Sequence, residues 1–235
     1  MNNEIIKQNF LNIKSIIEQT SKKFSKNPED IKIIAVSKTH RIDAISAAYS
    51  AGARIFGENY VQELVEKQSQ LSEKGILPEW HFIGHLQTNK VKYIAPFISL
   101  IHSVDSEKLA SEIARQAEKH NRTIDILLQI NTSGEISKFG CEPDEAVSLA
   151  EKVLGLPNIK LKGLMTIGTF SNNGTVIRKE FRLLKSILEE INNKLGLNLA
   201  ELSMGMSHDY EIAIEEGSTM VRIGTAIFGE RYYNR

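Results

Sequence analysis

A lysine at the end of an apolar run is the first residue in this sequence that could do chemistry. Lys38 follows the β-like segment IKIIAV, residues 31–36. Because side chains alternate between the two faces of a strand, Lys38 continues the row of Ile34 and Val36. An amine placed at the carboxyl end of a buried strand could attack the carbonyl group of a ligand. The alternative is a solvated lysine in a strand-to-helix loop.

Arg222 is a second unusual residue, because it interrupts the apolar segment MVRIG. A charged side chain in a buried strand needs a partner or a function, since burying it alone is costly. If Val221 and Ile223 face the surrounding helices, Arg222 points to the same interior as Lys38. The alternative is a structural ion pair. Under that alternative the partner would be a carboxylate such as Glu58 or Asp209.

Two glycine-containing turns, SMGMSHD and RIGTAIFG, follow the last two strand patterns. Ser207 could cap the helix after the first turn, and Gly224 and Thr225 stand just before a short helix. Helix starts offer unpaired N–H groups and a positive dipole end, so the two turns could hold a monophosphate. Ordinary capping is the alternative. Neither a Walker loop nor a GxGxxG motif is present, which argues against a nucleoside triphosphate or a dinucleotide.

Eight strand patterns alternate with helical patterns behind a leading amphipathic helix at about 3–24. The predicted strands are 31–36, 54–56, 80–84, 99–104, 123–131, 159–168, 199–205 and 218–224. Their nearly continuous apolar runs are typical of parallel strands covered on both faces. Eight such units in a chain of 235 residues predict an α/β protein. We expect a single (β/α)8 TIM-type barrel over 1–235 with an extra N-terminal helix, and a doubly wound open sheet is the alternative.

Composition excludes several classes of function. The formal net charge is zero, which leaves no electrostatic footprint for nucleic acid or for a membrane surface. The single cysteine, Cys141, excludes an intramolecular disulfide and fits a reducing compartment. The N-terminal segment lacks an apolar run long enough for a signal peptide or a membrane span. We therefore expect a cytoplasmic protein.

A lysine, a phosphate cup and an inward arginine at one barrel mouth fit pyridoxal 5′-phosphate. This cofactor has an aldehyde for an amine, a phosphate group, and a ring nitrogen that takes an aspartate or arginine partner. Fixed positive charge and partial desolvation around Lys38 would favour its neutral amine, ready to form a Schiff base.

Seven segments of the chain resemble those of the pyridoxal phosphate homeostasis proteins, whose fold is similar to the N-terminal barrel of alanine racemase. They are AVSKT (35–39), FGENYVQE (56–63), WHFIGHLQTNK (80–90), SKFG (137–140), GLMTI (163–167), SMGMS (203–207) and VRIGTAIFGER (221–231). The segments cover essentially the whole chain in the right order, which is far more specific than a single motif.

The resemblance implies a set of cofactor-binding residues. They are Lys38, which forms the internal aldimine, Asn59 beside the cofactor, His81 lining the pocket, Met206, Ser207, Gly224 and Thr225 at the phosphate, and Arg222 facing the pyridine nitrogen. Because arginine does not readily give up its proton, that nitrogen should stay unprotonated. The ring is then a weaker electron sink than one paired with aspartate.

The implied function is a non-catalytic carrier that holds pyridoxal phosphate reversibly on Lys38 and supplies it to apo-enzymes, which maintains vitamin B6 homeostasis. The alternative is a pyridoxal phosphate-dependent amino-acid racemase. In the racemases that the chain resembles, a second base comes from a tyrosine on a separate C-terminal domain. This sequence ends at Arg235, just after the eighth unit, and Tyr232 and Tyr233 are not an evident substitute. We expect a monomer without that domain.

Two further classes fit less well. A class I aldolase or another lyase without cofactor would have its lysine deeper in the barrel, whereas Lys160 and Lys162 stand near the wrong end of the sixth strand. A metal site is not expected, because the histidines are scattered and His81 and His85 straddle Gly84 rather than sharing a helix face.

Overall fold

The eight predicted strands form a closed parallel barrel in the computed structural model, which describes residues 2–135 and 138–230. The strands are β1 (Lys32–Val36), β2 (Ile55–Glu58), β3 (Glu79–Phe82), β4 (Leu100–Val104), β5 (Ile124–Gln129), β6 (Ile159–Met165), β7 (Glu201–Met206) and β8 (Met220–Ile223). Each strand pairs with the next one in the chain, and β8 pairs with β1. The closed barrel is confirmed, and the open doubly wound sheet is wrong.

Helices cover the outside of this barrel. They are α1 (Asn3–Lys23), α2 (Ile42–Ser50), α3 (Val61–Glu73), α4 (Val91–Ile94), α5 (Glu107–Lys119), α6 (Ala146–Leu154), α7 (Gly174–Leu195), α8 (Tyr210–Glu216) and α9 (Thr225–Phe228). The leading helix α1 packs against α2, α8 and α9 and so covers the seam between β8 and β1. Within the described ranges, none of these helices combines the length and the apolar character of a membrane span.

Alternation along the strands separates two apolar clusters. The larger lies between the sheet and the helices and contains Ala35, Val221 and Ile223. The smaller fills the barrel interior and contains Ile34 and Val36. The first strand and the eighth therefore have the predicted orientation, with Ile34 and Val36 facing inward and the neighbours of Arg222 facing the helices.

The boundaries differ from the predicted ones mainly at the ends of strands. The apolar pattern of the sixth strand continues to residue 168, but its ladder ends at Met165, and Ile167 instead lines a cavity. The eighth helix starts at Tyr210 rather than at about 208, because the chain first makes a turn in which the Met206 amide donates to Asp209 Oδ1 at 2.5 Å. Apolar residues that follow the last backbone hydrogen bond of a strand therefore lengthen the apolar sequence pattern without lengthening the strand.

Candidate functional site

A cavity of about 270 Å³ lies at the carboxyl ends of the strands. The residues that line it are Val36, Lys38, Asn59, Ile83, Ile167, Phe170, Met206, Ser207, His208, Arg222, Gly224 and Thr225. They come from the carboxyl ends of β1, β7 and β8 and from the segments that follow β1, β2, β3, β6, β7 and β8, so closure of the barrel brings distant parts of the chain together. Every site residue proposed from the sequence belongs to this lining except His81.

The polar character of the lining suits an anionic ligand. Lys38 and Arg222 supply two cationic side chains, and the described residues of the wall include no carboxylate. Asp209 contacts the wall from outside the lining, with its Oδ2 at 3.2 Å from His208 Nε2. Burial raises the pKa of Asp209, although the Met206 amide and His208 oppose this effect.

The residue before Lys38 is held by a buried ion pair. Ser37 Oγ donates to Glu58 Oε1 at 2.7 Å, while Lys67 Nζ on α3 donates to the Ser37 carbonyl and to Glu58 Oε1, both at 2.7 Å. Glu58 is fully buried and the Lys67 side chain is only 7% exposed. Burial raises the pKa of Glu58 even though Lys67 and Ser37 stabilise its charged form. The contacts with Glu58 and Lys67 therefore fix the backbone at Ser37, just before Lys38.

The residue after Lys38 is fixed as well. The Thr39 amide donates to Glu63 Oε1 at 2.6 Å, and the same oxygen accepts from Lys67 Nζ. Thr39 has a φ of 68°, in the left-handed region that β-branched residues rarely adopt. Such strain persists only where the surroundings determine it. The two carboxylates and Lys67 thus define the turn that presents Lys38 to the cavity.

Ser207 joins the two turns expected to hold a phosphate. Its Oγ accepts hydrogen bonds from the amides of Gly224 at 3.2 Å and Ala226 at 3.3 Å. The prediction that Ser207 caps its own helix is wrong, since Asp209 occupies the start of α8 without a side-chain capping bond. The hydroxyl instead caps the start of α9, and the segments after β7 and β8 become one wall.

Arg222 is 5% exposed and its guanidinium bonds to oxygen atoms of the barrel interior. Nη1 donates to the carbonyl and the hydroxyl of Ser203 at 2.8 and 2.7 Å, and Nη2 donates to the Thr166 carbonyl at 2.8 Å. The alternative of a direct ion pair with Glu58 or Asp209 is therefore not what the structure has. Burial lowers the pKa of Arg222 to about 10, so the guanidinium keeps its proton at neutral pH.

His81 lies in the barrel interior and not in the cavity wall. It is 1% exposed, with its Nδ1 at 3.0 Å from His102 Nε2 and its Nε2 at 3.0 Å from Glu79 Oε1. His102 in turn contacts Ser203, the partner of Arg222. Sequence reasoning missed His102 and Ser203, although both are polar residues on the inward row of an apolar strand, the signal that singled out Arg222.

Asn59 contributes a buried acceptor that lacks a donor. Its Oδ1 has no hydrogen-bond partner among the residues that the structure describes. The backbone of Asn59 is held close to Gly84, where an added Cβ would lie 2.4 Å from the Asn59 carbonyl oxygen. An unsatisfied amide oxygen in a cavity wall calls for a donor, and a ligand hydroxyl would supply one.

Other candidate groups do not add to the site. Burial raises the pKa of the Cys141 thiol to about 12, so this side chain is not a nucleophile at neutral pH. The described part of the chain holds no cluster of three or more histidine, cysteine, aspartate or glutamate residues suited to a metal ion. Ser137 of the SKFG segment and the terminal Tyr232 and Tyr233 lie outside the described residues.

Comparison with known proteins identifies the family. The family model for the alanine racemase N-terminal domain matches residues 9–232. The pyridoxal phosphate homeostasis protein of Aquifex aeolicus is 44% identical over 92% of this chain and 94% of its own length. The protein of the same name from Homo sapiens is 41% identical over 95% of this chain and 86% of its own length.

Solved structures give the same picture. PipY of Synechococcus elongatus, determined with PLP bound, is 35% identical, has a TM-score of 0.80, and is matched over 91% of this chain and 100% of its own. An alanine racemase of Clostridium difficile shares the fold at a TM-score of 0.73 with 16% identity, and only 58% of its chain is matched. Full-length similarity at this level leads to one conclusion: the chain belongs to the family of pyridoxal phosphate homeostasis proteins, built on the alanine racemase N-terminal domain.

Proposed function

We propose that this chain binds pyridoxal phosphate covalently through Lys38 and acts as a carrier that keeps the supply of the cofactor in balance. One observation carries the proposal: a single cavity brings together Lys38, Arg222 and the Ser207-linked turns after β7 and β8. The name of the relatives and the PLP bound to PipY support it.

The residues of the cavity fit the parts of the cofactor. The wall without carboxylates suits a phosphate, and the unsatisfied Oδ1 of Asn59 suits the ring hydroxyl. The guanidinium of Arg222 keeps its proton, so it would donate to the ring nitrogen rather than accept from it. When bound, pyridoxal phosphate supplies an aldehyde, with which a primary amine condenses and releases water. Lys38 would provide that amine from its fixed turn.

We expect the covalent linkage to map to Lys38. The purified protein should be yellow when loaded with pyridoxal phosphate, and borohydride should remove the visible band by reducing the linkage to a secondary amine. Peptide mapping by mass spectrometry should then find the added mass on the peptide that contains Lys38. Mapping to Lys138 or to another lysine would overturn the assignment of the site.

The carrier hypothesis further proposes release of the cofactor to apo-enzymes, by a monomer in the cytoplasm. The racemase alternative needs a second base opposite Lys38. Among the described residues of the wall, His208 is the one imidazole, and it is already engaged by Asp209. Incubation of the loaded protein with L-alanine in deuterated water distinguishes the two hypotheses.

We expect no sustained exchange of the α-proton and no loss of chirality in that incubation. In parallel, a loaded sample mixed with an apo-transaminase should activate it faster than an equal amount of free pyridoxal phosphate. Sustained exchange with racemisation would establish catalysis and contradict the carrier hypothesis. A His208→Gln variant would then show whether the imidazole is the missing base.

A further inference from the structure

A polar row of five hydrogen-bonded residues crosses the barrel interior from the cavity to the opposite end. Arg222 Nη1 donates to Ser203 Oγ at 2.7 Å, and Ser203 Oγ lies 2.9 Å from His102 Nδ1. His102 Nε2 lies 3.0 Å from His81 Nδ1, and His81 Nε2 lies 3.0 Å from Glu79 Oε1. The five residues come from β8, β7, β4 and β3, so only the closed barrel assembles them.

The middle of this row of residues is buried and its far end reaches solvent. Ser203 and His102 are fully buried and His81 is 1% exposed, whereas the Glu79 side chain is 52% exposed at the amino end of β3. Buried polar groups that lose their partners are costly, so each of these contacts is expected to persist in the folded protein. The polar row thus connects the solvent at one end of the barrel with the candidate site at the other.

Both ends of the row require the same direction of donation. The guanidinium of Arg222 can only donate, and an ionised carboxylate at Glu79 can only accept. The hydrogen bond from His81 is the main reason that the pKa of Glu79 lies below its usual value. In its neutral form, His81 then carries its proton on Nε2 and accepts at Nδ1.

His102 continues the same direction. Burial, helped by the positive charge of Arg222, holds its pKa well below the usual value, so this imidazole is neutral and has one N–H group. His102 therefore donates from Nε2 to His81 and accepts at Nδ1 from the hydroxyl of Ser203. That hydroxyl is left with its lone pairs for the guanidinium of Arg222.

We propose that Glu79 is a positioning residue for Arg222, acting through His81, His102 and Ser203 to fix the direction of the hydrogen bonds that hold the guanidinium in the cavity. The inference rests on the proposed function, in which Arg222 faces the ring nitrogen of the cofactor. If the hydrogen bonds of the row ran in the opposite direction, His102 Nδ1 and Arg222 Nη1 would both donate to Ser203 Oγ. The hydrogen of the Ser203 hydroxyl would then have no acceptor along the row. Glu79 prevents that arrangement from the solvent side.

Two substitutions of Glu79 and one control test this role. Glu79→Leu removes the acceptor, and Glu79→Gln keeps an oxygen that can accept from His81. Asp125 is the matched control, because it shares the inward parity of Leu127 near the amino end of β5 and its side chain is 40% exposed. Its side chain pairs with Lys162 at 3.9 Å rather than with the row. Asp125→Asn removes a charge at the same end of the barrel without touching the hydrogen bonds.

Nitrogen-15 NMR of the ligand-free protein above neutral pH reads the protonated nitrogen of each imidazole. We expect the proton on Nε2 of both His81 and His102 in the wild type, in Glu79→Gln and in Asp125→Asn. Glu79→Leu should show a mixture of tautomers. A proton on Nδ1 of either histidine in the wild type, or a Glu79→Leu spectrum identical to the wild type, would overturn the proposal.

Loaded protein gives the second readout. Glu79→Leu should bind pyridoxal phosphate about threefold to tenfold more weakly, the factor expected for one hydrogen bond of ordinary strength, with a shifted visible band. Glu79→Gln should restore both properties, and Asp125→Asn should leave them unchanged. Equal affinity and an unchanged band in Glu79→Leu would contradict the proposal. If the wild type takes up no cofactor, the proposed function fails, while the tautomers still decide the role of Glu79.

Discussion

Replacing Lys38 with alanine is expected to abolish covalent retention of pyridoxal phosphate while leaving the barrel folded. The side chain lies at a turn that other residues hold through Ser37 and Thr39, so its removal does not disturb those contacts. The phosphate wall and Arg222 remain. Hydrogen bonds to charged groups contribute about 1.5–3 kcal/mol each, so two such contacts leave a dissociation constant on the order of millimolar.

Absorbance after gel filtration measures this loss, because a cofactor held that weakly is removed on the column. Lys32→Ala is the matched control, since Lys32 starts the strand that leads to Lys38 and faces inward, but at the opposite end of the barrel, where it pairs with Glu201. That variant should retain the visible band. Thermal unfolding of Lys38→Ala should stay close to that of the wild type. Retention of a borohydride-sensitive band in Lys38→Ala would show that another amine carries the cofactor.

The fold followed from the sequence because both of its periodicities are strong. Continuous apolar runs alternate with amphipathic segments, and the burial of Ile6, Phe10, Ile13 and Ile17 on α1 matches the predicted spacing. The ends of the strands were harder to predict, since a strand ends where its ladder of backbone hydrogen bonds ends and not where the apolar residues end. Ile167 shows this, because it continues the apolar pattern yet lines the cavity.

The site was predictable wherever one strand was enough to place a side chain. Parity on a single strand oriented Lys38 and Arg222 toward the interior before any fold was known. The position of His81 was not predictable in this way, because its surroundings depend on His102 from the neighbouring strand β4 and, through it, on Ser203 from β7 across the barrel. His102 and His81 are 21 positions apart and His102 and Ser203 are 101 positions apart, so neither contact leaves a trace in a local sequence pattern.

Lys67 was equally invisible in the sequence. It belongs to α3, whose sequence is rich in charged and polar residues, and a lysine there is typical of a solvated helix face. Only the packing of α3 beneath the turn of Lys38 shows that its ammonium group is buried between Glu58 and Glu63. Two separate networks therefore position the two cationic groups of the cavity, one below Lys38 and one behind Arg222.

Replacing Lys67 with methionine should destabilise the protein by about 3–5 kcal/mol at neutral pH, the usual cost of removing one partner of a buried ion pair. Glu58 would lose its counter-ion, and its Oε2 already lacks a partner among the described residues. Urea unfolding measures the change. Lys74→Met is the control, because Lys74 is half-exposed, just after α3, and its pairing with Asp43 at 3.7 Å should contribute less than about 1 kcal/mol.

The loss should depend on pH in a direction set by Glu58. Burial already raises the pKa of this carboxyl group in the folded protein. The charge of Lys67 is the largest influence that lowers the pKa, so its removal raises the pKa further. The folded Lys67→Met variant then binds a proton that the unfolded chain releases, so its stability falls as the pH rises from the unfolded pKa toward the folded one. Below the unfolded pKa both states are protonated and the deficit is smallest.

A second substitution separates the charge from the packing. Glu58→Gln added to Lys67→Met removes the uncompensated charge and keeps an oxygen that accepts from Ser37, so it should recover part of the stability and remove the pH dependence. The double variant should still take up pyridoxal phosphate more slowly than the wild type, because the Ser37 carbonyl has lost its donor and the turn of Lys38 is less fixed. A loss below about 1 kcal/mol in Lys67→Met, or one that is the same at acid and neutral pH, would mean that Glu58 finds another partner and that Lys67 does not hold the turn.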